Sequence, residues 1–194
     1  MTKKEFILCL IAMTFILNIA TSAKAALYDR GNGLIYDDDL DITWLQYSNY
    51  AEQTMNWDEA NLWINDLLYL NYTDWRLPYS DTSCTGSGCI DSEMGHLFYT
   101  EGISSDSPGQ FINVRPSIYW SAAENTDNTS QAWRFSLKYG TQGTSDKTQN
   151  RYAWAVRDGD STLPVVPEPI SSMLFISGGV TLGIRRLWKK RIAT

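Results

Sequence analysis

The chain has 194 residues, 43% of them apolar, with 22 acidic and 16 basic side chains and a single histidine. Residues 26–166 hold 20 Asp plus Glu against 8 Lys plus Arg, a balance near −12. Such a surface repels nucleic acid and other polyanions at long range, and the length allows one hydrophobic core.

The start of the chain reads as a targeting segment. Lys3 and Lys4 precede an apolar run over 6–20, and Ala23-Lys24-Ala25 places small residues where a signal peptidase cuts. A signal peptide over 1–25 is expected, with cleavage after Ala25. Cys9 leaves with it. Cys84 and Cys89 stay, and in an oxidising compartment a pair this close is expected to form a disulfide.

The domain proper is expected over 26–160. A turn at Arg30-Gly31-Asn32-Gly33 leads into a short strand at Leu34-Ile35-Tyr36, and another strand is expected over 42–46. Asn56 followed by Glu59 is a capping-box pattern, and it predicts a helix over 57–70 with Ala60, Ile64 and Leu67 or Leu68 as its apolar stripe. The segment 74–77 reads as a strand stopped by Pro78. A shorter helix is expected over 92–99, with Met94, Leu97 and Phe98 toward the core and Gly95 weakening it. Strands follow over 118–122, 132–138 and 152–157; the last two alternate, with Trp133, Phe135 and Leu137 on one face of the first and Tyr152, Trp154 and Val156 together in the second. The Gly-, Thr- and Ser-rich stretch 139–151 between them reads as a loop or long hairpin.

The run Gly33-Leu34-Ile35-Tyr36-Asp37-Asp38-Asp39 comes first. Asp74-Trp75-Arg76-Leu77-Pro78, Tyr119-Trp120-Ser121 and Val156-Arg157-Asp158-Gly159 follow in that order. Together they resemble the Lcl C-terminal domain family of bacteria over residues 28–159. Ser92 to Tyr99 is similar to the second-helix segment of members that carry a sorting tail. The resemblance implies an α+β, C-type-lectin-like fold, with two helices beside a twisted antiparallel sheet. The family's founding collagen-like adhesins bind surface polysaccharides such as glycosaminoglycans. This chain lacks the collagen repeat, and its acidity opposes sulfated sugars. The fold is related to formylglycine-generating enzymes, which use a cysteine pair with copper. Cys84 and Cys89 share one tight loop, so that activity does not carry over.

Two acidic groups are candidate sites. Asp37, Asp39 and Asp41, with Asp38, crowd five positions and could hold Ca2+, the one cofactor expected, although the spacing is not that of an EF-hand and Asp also favours plain turns. Glu124, Asn125, Asp127 and Asn128 form a polar loop of the kind that holds Ca2+ and sugar hydroxyls in C-type lectins. It lacks the lectins' Glu-Pro-Asn sequence. Arg76 is expected to pair with Asp74 or a chain carbonyl, and His96 to be a satisfied, partly buried side chain. No Gly-x-Ser-x-Gly elbow, His-Glu-x-x-His or phosphate-binding glycine loop occurs, so no enzyme is expected.

A linker over 161–166 leads to the far end. Pro167-Glu168-Pro169, an apolar run over 170–184, and Arg185 and Arg186 with further basic residues succeed one another. The order resembles the PEP-CTERM sorting signal, which implies removal by an exosortase, a membrane-embedded peptidase. Fifteen helical residues reach only about 22 Å, short of a hydrocarbon core of about 30 Å, and flanking residues would have to complete the span. The basic cluster would stay cytoplasmic and the domain outside. The sequence thus predicts an exported surface or matrix protein, briefly membrane-anchored, with a non-enzymatic role toward exopolysaccharide or another envelope component. A purely structural or protein-interaction role is the alternative, and a hydrolase built on a carboxylate pair is a third.

Overall fold

A computed structural model describes residues 27–161. The expected signal peptide, most of the linker, Pro167, Glu168, Pro169, the 170–184 span, Arg185 and Arg186 lie outside the described residues. No helix among the described residues is long and apolar enough to cross a membrane.

The elements run β1 (Leu27–Gly31), β2 (Leu34–Asp37), β3 (Ile42–Leu45), α1 (Trp57–Asn65), β4 (Gly86–Ser87), α2 (Glu93–Tyr99), β5 (Ile118–Glu124), β6 (Gln131–Ser136), β7 (Thr141–Asp146) and β8 (Val156–Asp158). Two antiparallel sheets result, ordered β1-β2-β3-β8 and β4-β7-β6-β5. Helices and antiparallel strands make this an α+β domain, with two small sheets where one was expected.

The central strands of the first sheet, β2 and β3, are buried on both faces, which explains their sequence. In β2, Leu34 packs into one core and Ile35 into a second; in β3, Trp44 and Leu45 divide the other way. The segment before β8 does the same, with Ala153 and Ala155 in the first core and Trp154 and Val156 in the second. All four are at most 1% exposed. Residues 152–155 therefore run between two cores. The indole N–H groups of Trp154 and Trp120 are satisfied by the carbonyls of Leu45 at 2.7 Å and Met55 at 3.0 Å. Each such fully buried large side chain contributes about 2–3 kcal/mol by area.

Helix α1 starts as expected. Asn56 Oδ1 accepts from the Glu59 N–H at 2.9 Å, and Glu59 Oε2 accepts from the Asn56 N–H at 3.0 Å. It ends at Asn65 and not near residue 70, because Asp66 caps it and Leu70 and Asn71 take positive φ of 52° and 68°. Those two residues turn the chain so that Tyr69 and Tyr72 bridge. Helix α2 is capped by Ser92, whose Oγ accepts from the Gly95 N–H at 3.1 Å. Gly95 is there for packing: a Cβ would lie 1.8 Å from the Cys89 carbonyl oxygen.

Two strand expectations are corrected. Residues 74–77 make only the Arg76–Val156 bridge, and of 152–157 only the end enters β8. A strand, β7, lies inside the stretch expected to be a loop or long hairpin, and it folds back antiparallel on β6. Its sequence, Thr141-Gln142-Gly143-Thr144-Ser145-Asp146, has no apolar alternation, yet all six residues pair with β6.

A carboxylate–imidazole cluster and a tyrosine-lined groove

The hairpin β2–β3 carries a distinctive site at each end. At the Asp37 end, strand pairing closes with Asp37 opposite Ile42, and the turn 38–41 follows. Asp37 is fully buried, and its Oδ1 accepts from the Leu40 N–H at 3.3 Å. Helix α2 brings His96 to it from the other side. Just past the helix, the Glu101 N–H bonds the His96 carbonyl at 3.2 Å, which folds Glu101 back toward the same spot.

His96 Nε2 lies 3.8 Å from Asp37 Oδ1, 3.8 Å from Asp39 Oδ2 and 3.7 Å from Glu101 Oε1. Ligand atoms of Asp37, His96 and Glu101 all fall within 4.8 Å of one another. These separations are too long for hydrogen bonds. Asp37 Oδ2, His96 Nε2 and Glu101 Oε1 are buried without a hydrogen-bond partner. The side chains of Glu101 and His96 are 6% and 13% exposed, and that of Asp39 is 47% exposed, at the mouth. Burial pushes the Asp37 carboxyl above the usual carboxylate range, with His96 working against it. Burial likewise raises Glu101, and the Asp37 charge adds to the rise.

Of the three expected Ca2+ ligands, Asp37 and Asp39 thus meet here. Asp41 does not join them: it sits at a positive φ of 51° and accepts from the Tyr36 hydroxyl at 2.9 Å. His96 has carboxylates for neighbours, and Glu101 was not singled out from the sequence. Its only signal there is its place five residues after the single histidine.

At the other end of the hairpin, where Leu34 pairs with Leu45, a groove of about 560 Å³ opens. Tyr47, Tyr50 and Tyr69 line it with Gln46, Glu52 and Ile112. Tyr69 packs edge-on against Tyr50 at 5.4 Å and against Trp75 at 6.2 Å, and its hydroxyl donates to the Asn32 carbonyl at 2.8 Å. Gly33 makes room for that hydroxyl, since a Cβ there would lie 2.4 Å from it. Asn113 Nδ2 donates to the Tyr47 hydroxyl at 2.8 Å, and Gln46 Nε2 donates to the Gln110 carbonyl at 2.9 Å. Among the described residues no hydrogen bond ties down the Tyr50 hydroxyl or the Glu52 carboxylate. Glu52 also holds a positive φ of 55°. None of these tyrosines was singled out from the sequence.

In the 124–128 loop, Glu124, Asn125 and Asn128 commit side-chain oxygens to neighbouring groups of the protein, while no hydrogen bond among the described residues holds the Asp127 carboxylate. Glu124 is ion-paired with Lys147, whose ammonium also caps the Trp57 ring at 4.4 Å. Asn125 Oδ1 accepts from the Asp127 N–H, and Asn128 Oδ1 accepts from the Ser130 N–H and hydroxyl. Trp57, partly buried, is linked to the loop through Lys147, whereas Trp44, Trp120 and Trp154 are fully buried.

Cys84 and Cys89 are joined in a disulfide with Cα atoms 5.6 Å apart. Gln142 of β7 steadies that loop by donating to the carbonyls of Asp81 and Cys84 at 2.7 and 2.8 Å. Arg76 is a hub: of its two expected partners it finds the chain carbonyl, donating to Leu77 at 3.2 Å, and not Asp74. Its guanidinium forks onto Glu93 at 2.6 and 2.8 Å, reaches Asp158 at 2.6 Å and stacks on Tyr79 at 3.8 Å. Asp74 pairs with Arg157 at 2.7 and 2.8 Å, and this bonding lowers its carboxyl below the usual range.

No curated protein matches the chain. The Lcl C-terminal domain family matches it over residues 33–157, a span that takes in both ends of the β2–β3 hairpin and ends in β8. This chain belongs to the Lcl C-terminal domain family.

Proposed function

We propose that this is an exported envelope or matrix protein whose Lcl C-terminal domain, on a lectin-like scaffold, binds a glycan of the cell surface without turning it over. The observation that carries the reading is the tyrosine-lined groove. Flat rings offer faces to sugar C–H groups, and a few polar groups fix orientation, which is the usual make-up of a small-ligand site. Here Tyr47, Tyr50 and Tyr69 supply the rings, and Glu52 and Tyr50 supply uncommitted hydrogen-bonding groups. Glu52 keeps a left-handed backbone that costs about 1 kcal/mol or more, a kind of strain that concentrates at ligand sites.

The charge selects the glycan class. A domain near −12 favours neutral or amino sugars over sulfated or uronic-acid polymers. The terminal segments, read as a signal peptide and a PEP-CTERM tail, supply export, transient anchoring and exosortase release. The groove holds one carboxylate, Glu52, whereas a glycosidase needs two set across a cleft. Asp37 and Glu101 form a pair with raised pKa values, but they are closed off from the groove.

The test is a glycan array with the full-length chain and its Tyr50→Ala variant, repeated with chelator. The reading expects retention on neutral or amino-sugar glycans, at least tenfold weaker for the variant and unchanged by chelator. Absence of binding by the wild-type chain would sink it and leave the structural or protein-interaction role.

A further inference from the structure

We propose that Asp37, His96 and Glu101, with Asp39 at the mouth, form a binding site for one divalent transition metal ion of the Zn2+ type. It lies at the opposite end of the β2–β3 hairpin from the groove and does not depend on the groove's role.

Three observations carry this. First, Asp37 is fully buried and Glu101 nearly so; Glu101 Oε1 and His96 Nε2 face each other without a hydrogen-bond partner, and Asp37 turns Oδ1, held only by the long Leu40 N–H bond, toward the same point while its Oδ2 is unpartnered. Burying uncompensated carboxylates is expensive, and a dication at their centre would remove the cost. Second, the spacing is that of a coordination shell. A tetrahedron with bonds of ~2.1 Å has edges of ~3.4 Å. The three distances from His96 Nε2 are 3.7–3.8 Å, slightly wider and well beyond hydrogen-bond length. Third, the donor set is one imidazole with two or three carboxylates. An imidazole ligand suits Zn2+ and its neighbours, whereas Ca2+ takes six to eight oxygens. Asp41, the third aspartate of a Ca2+ reading, is engaged by Tyr36 elsewhere.

Placement gives the ion a structural task. Asp37 and Asp39 belong to the β2–β3 hairpin and its turn, while His96 and Glu101 belong to α2 and its exit, so the ion would clamp that helix onto the first sheet. Asp39, about half exposed, provides the way in.

The full-length chain, stripped with chelator in mild detergent and dialysed against Zn2+, Mn2+ or Ca2+, is assayed for retained metal and thermal midpoint. One equivalent of Zn2+ is expected, with the midpoint rising by about 8 °C once free Zn2+ exceeds its Kd about 100-fold. Co2+ substitution should give the visible absorption of a nitrogen- and oxygen-ligated ion. Asp37→Asn removes a buried charge at nearly constant shape, so it folds without metal; it and His96→Gln should lose the retained ion and the Co2+ band. Tyr50→Ala should keep both. No retained metal, equal retention by both site variants, or preference for Ca2+ over Zn2+ would overturn the assignment. In the first case His96 is only a packing neighbour of the buried carboxylates.

Discussion

Removing the Arg76 guanidinium should unseat α2 from the 74–78 segment and β8. In Arg76→Met the apolar stem is roughly kept, and the fork onto Glu93, the Asp158 contact and the stacking on Tyr79 are lost. The Glu93 partner decides the size of the effect. Its side chain is 11% exposed, and its remaining bond is the Tyr79 N–H at 2.8 Å, so the variant strands a carboxylate that water barely reaches. Breaking a buried pair from one side costs about 3–5 kcal/mol. The Asp158 half adds almost nothing, since that side chain is 75% exposed. With Arg76 itself 17% exposed, the lower end applies, about 3 kcal/mol, or about 10 °C in the midpoint of a domain this size. Urea unfolding of Arg76→Met, Glu93→Gln and the double variant measures it. The double variant should recover at least about 1 kcal/mol of the sum of the singles, because the stranded charge is gone. A loss below about 1 kcal/mol in Arg76→Met, or strictly additive singles, would refute the idea that the pair is desolvated.

Three further outcomes are expected. The metal-free protein should lose stability as pH rises from the ordinary carboxylate range toward neutrality: Asp37 and Glu101 have raised pKa values in the fold, so the unfolded chain releases those protons first. Asp37→Asn should flatten that fall in chelator, and urea midpoints between about pH 4 and pH 7 show it. Gly95→Ala should cost about 2 kcal/mol or more by thermal unfolding, despite alanine's better helix propensity, because the new Cβ meets the Cys89 carbonyl. Reducing Cys84–Cys89 should cost about 2 kcal/mol or less, since the ring is small and Gln142 still holds the loop from β7.

Local chemistry made some of this fold legible and its layering hid the rest. The Asn56–Glu59 capping box and the Ala60 and Ile64 stripe act within one helix, and α1 begins where they place it. Its early end depends on a turn set by Leu70 and Asn71; Asn71 suits such a turn, but Leu70 at positive φ carries no signal in the sequence. The segment 152–157 alternates large and small, which reads as one buried face. The small residues are buried too, in a different core, and no single strand pattern distinguishes those cases. Strand β7 is held by backbone pairing and polar side chains, so periodicity had nothing to register. The acidic cluster at 37–41 was visible, but its partners arrive from α2, some sixty residues away. Only the three-dimensional fold separates Asp37 and Asp39, which face His96, from Asp41, which faces Tyr36. Tyr47 and Tyr50, on the loop after β3, and Tyr69, past α1, likewise share a surface only after the hairpin and α1 are placed.

The central claim is that the groove is where a glycan sits, and the most direct test is to map one onto the chain. Isotope-labelled protein is titrated with oligosaccharides from the host's own exopolysaccharide while amide and aromatic resonances are followed. The account predicts saturable shifts centred on Tyr47, Tyr50, Glu52 and Tyr69, unchanged by chelator. Shifts centred on Glu124 to Asn128, or none at saturating sugar, would contradict it.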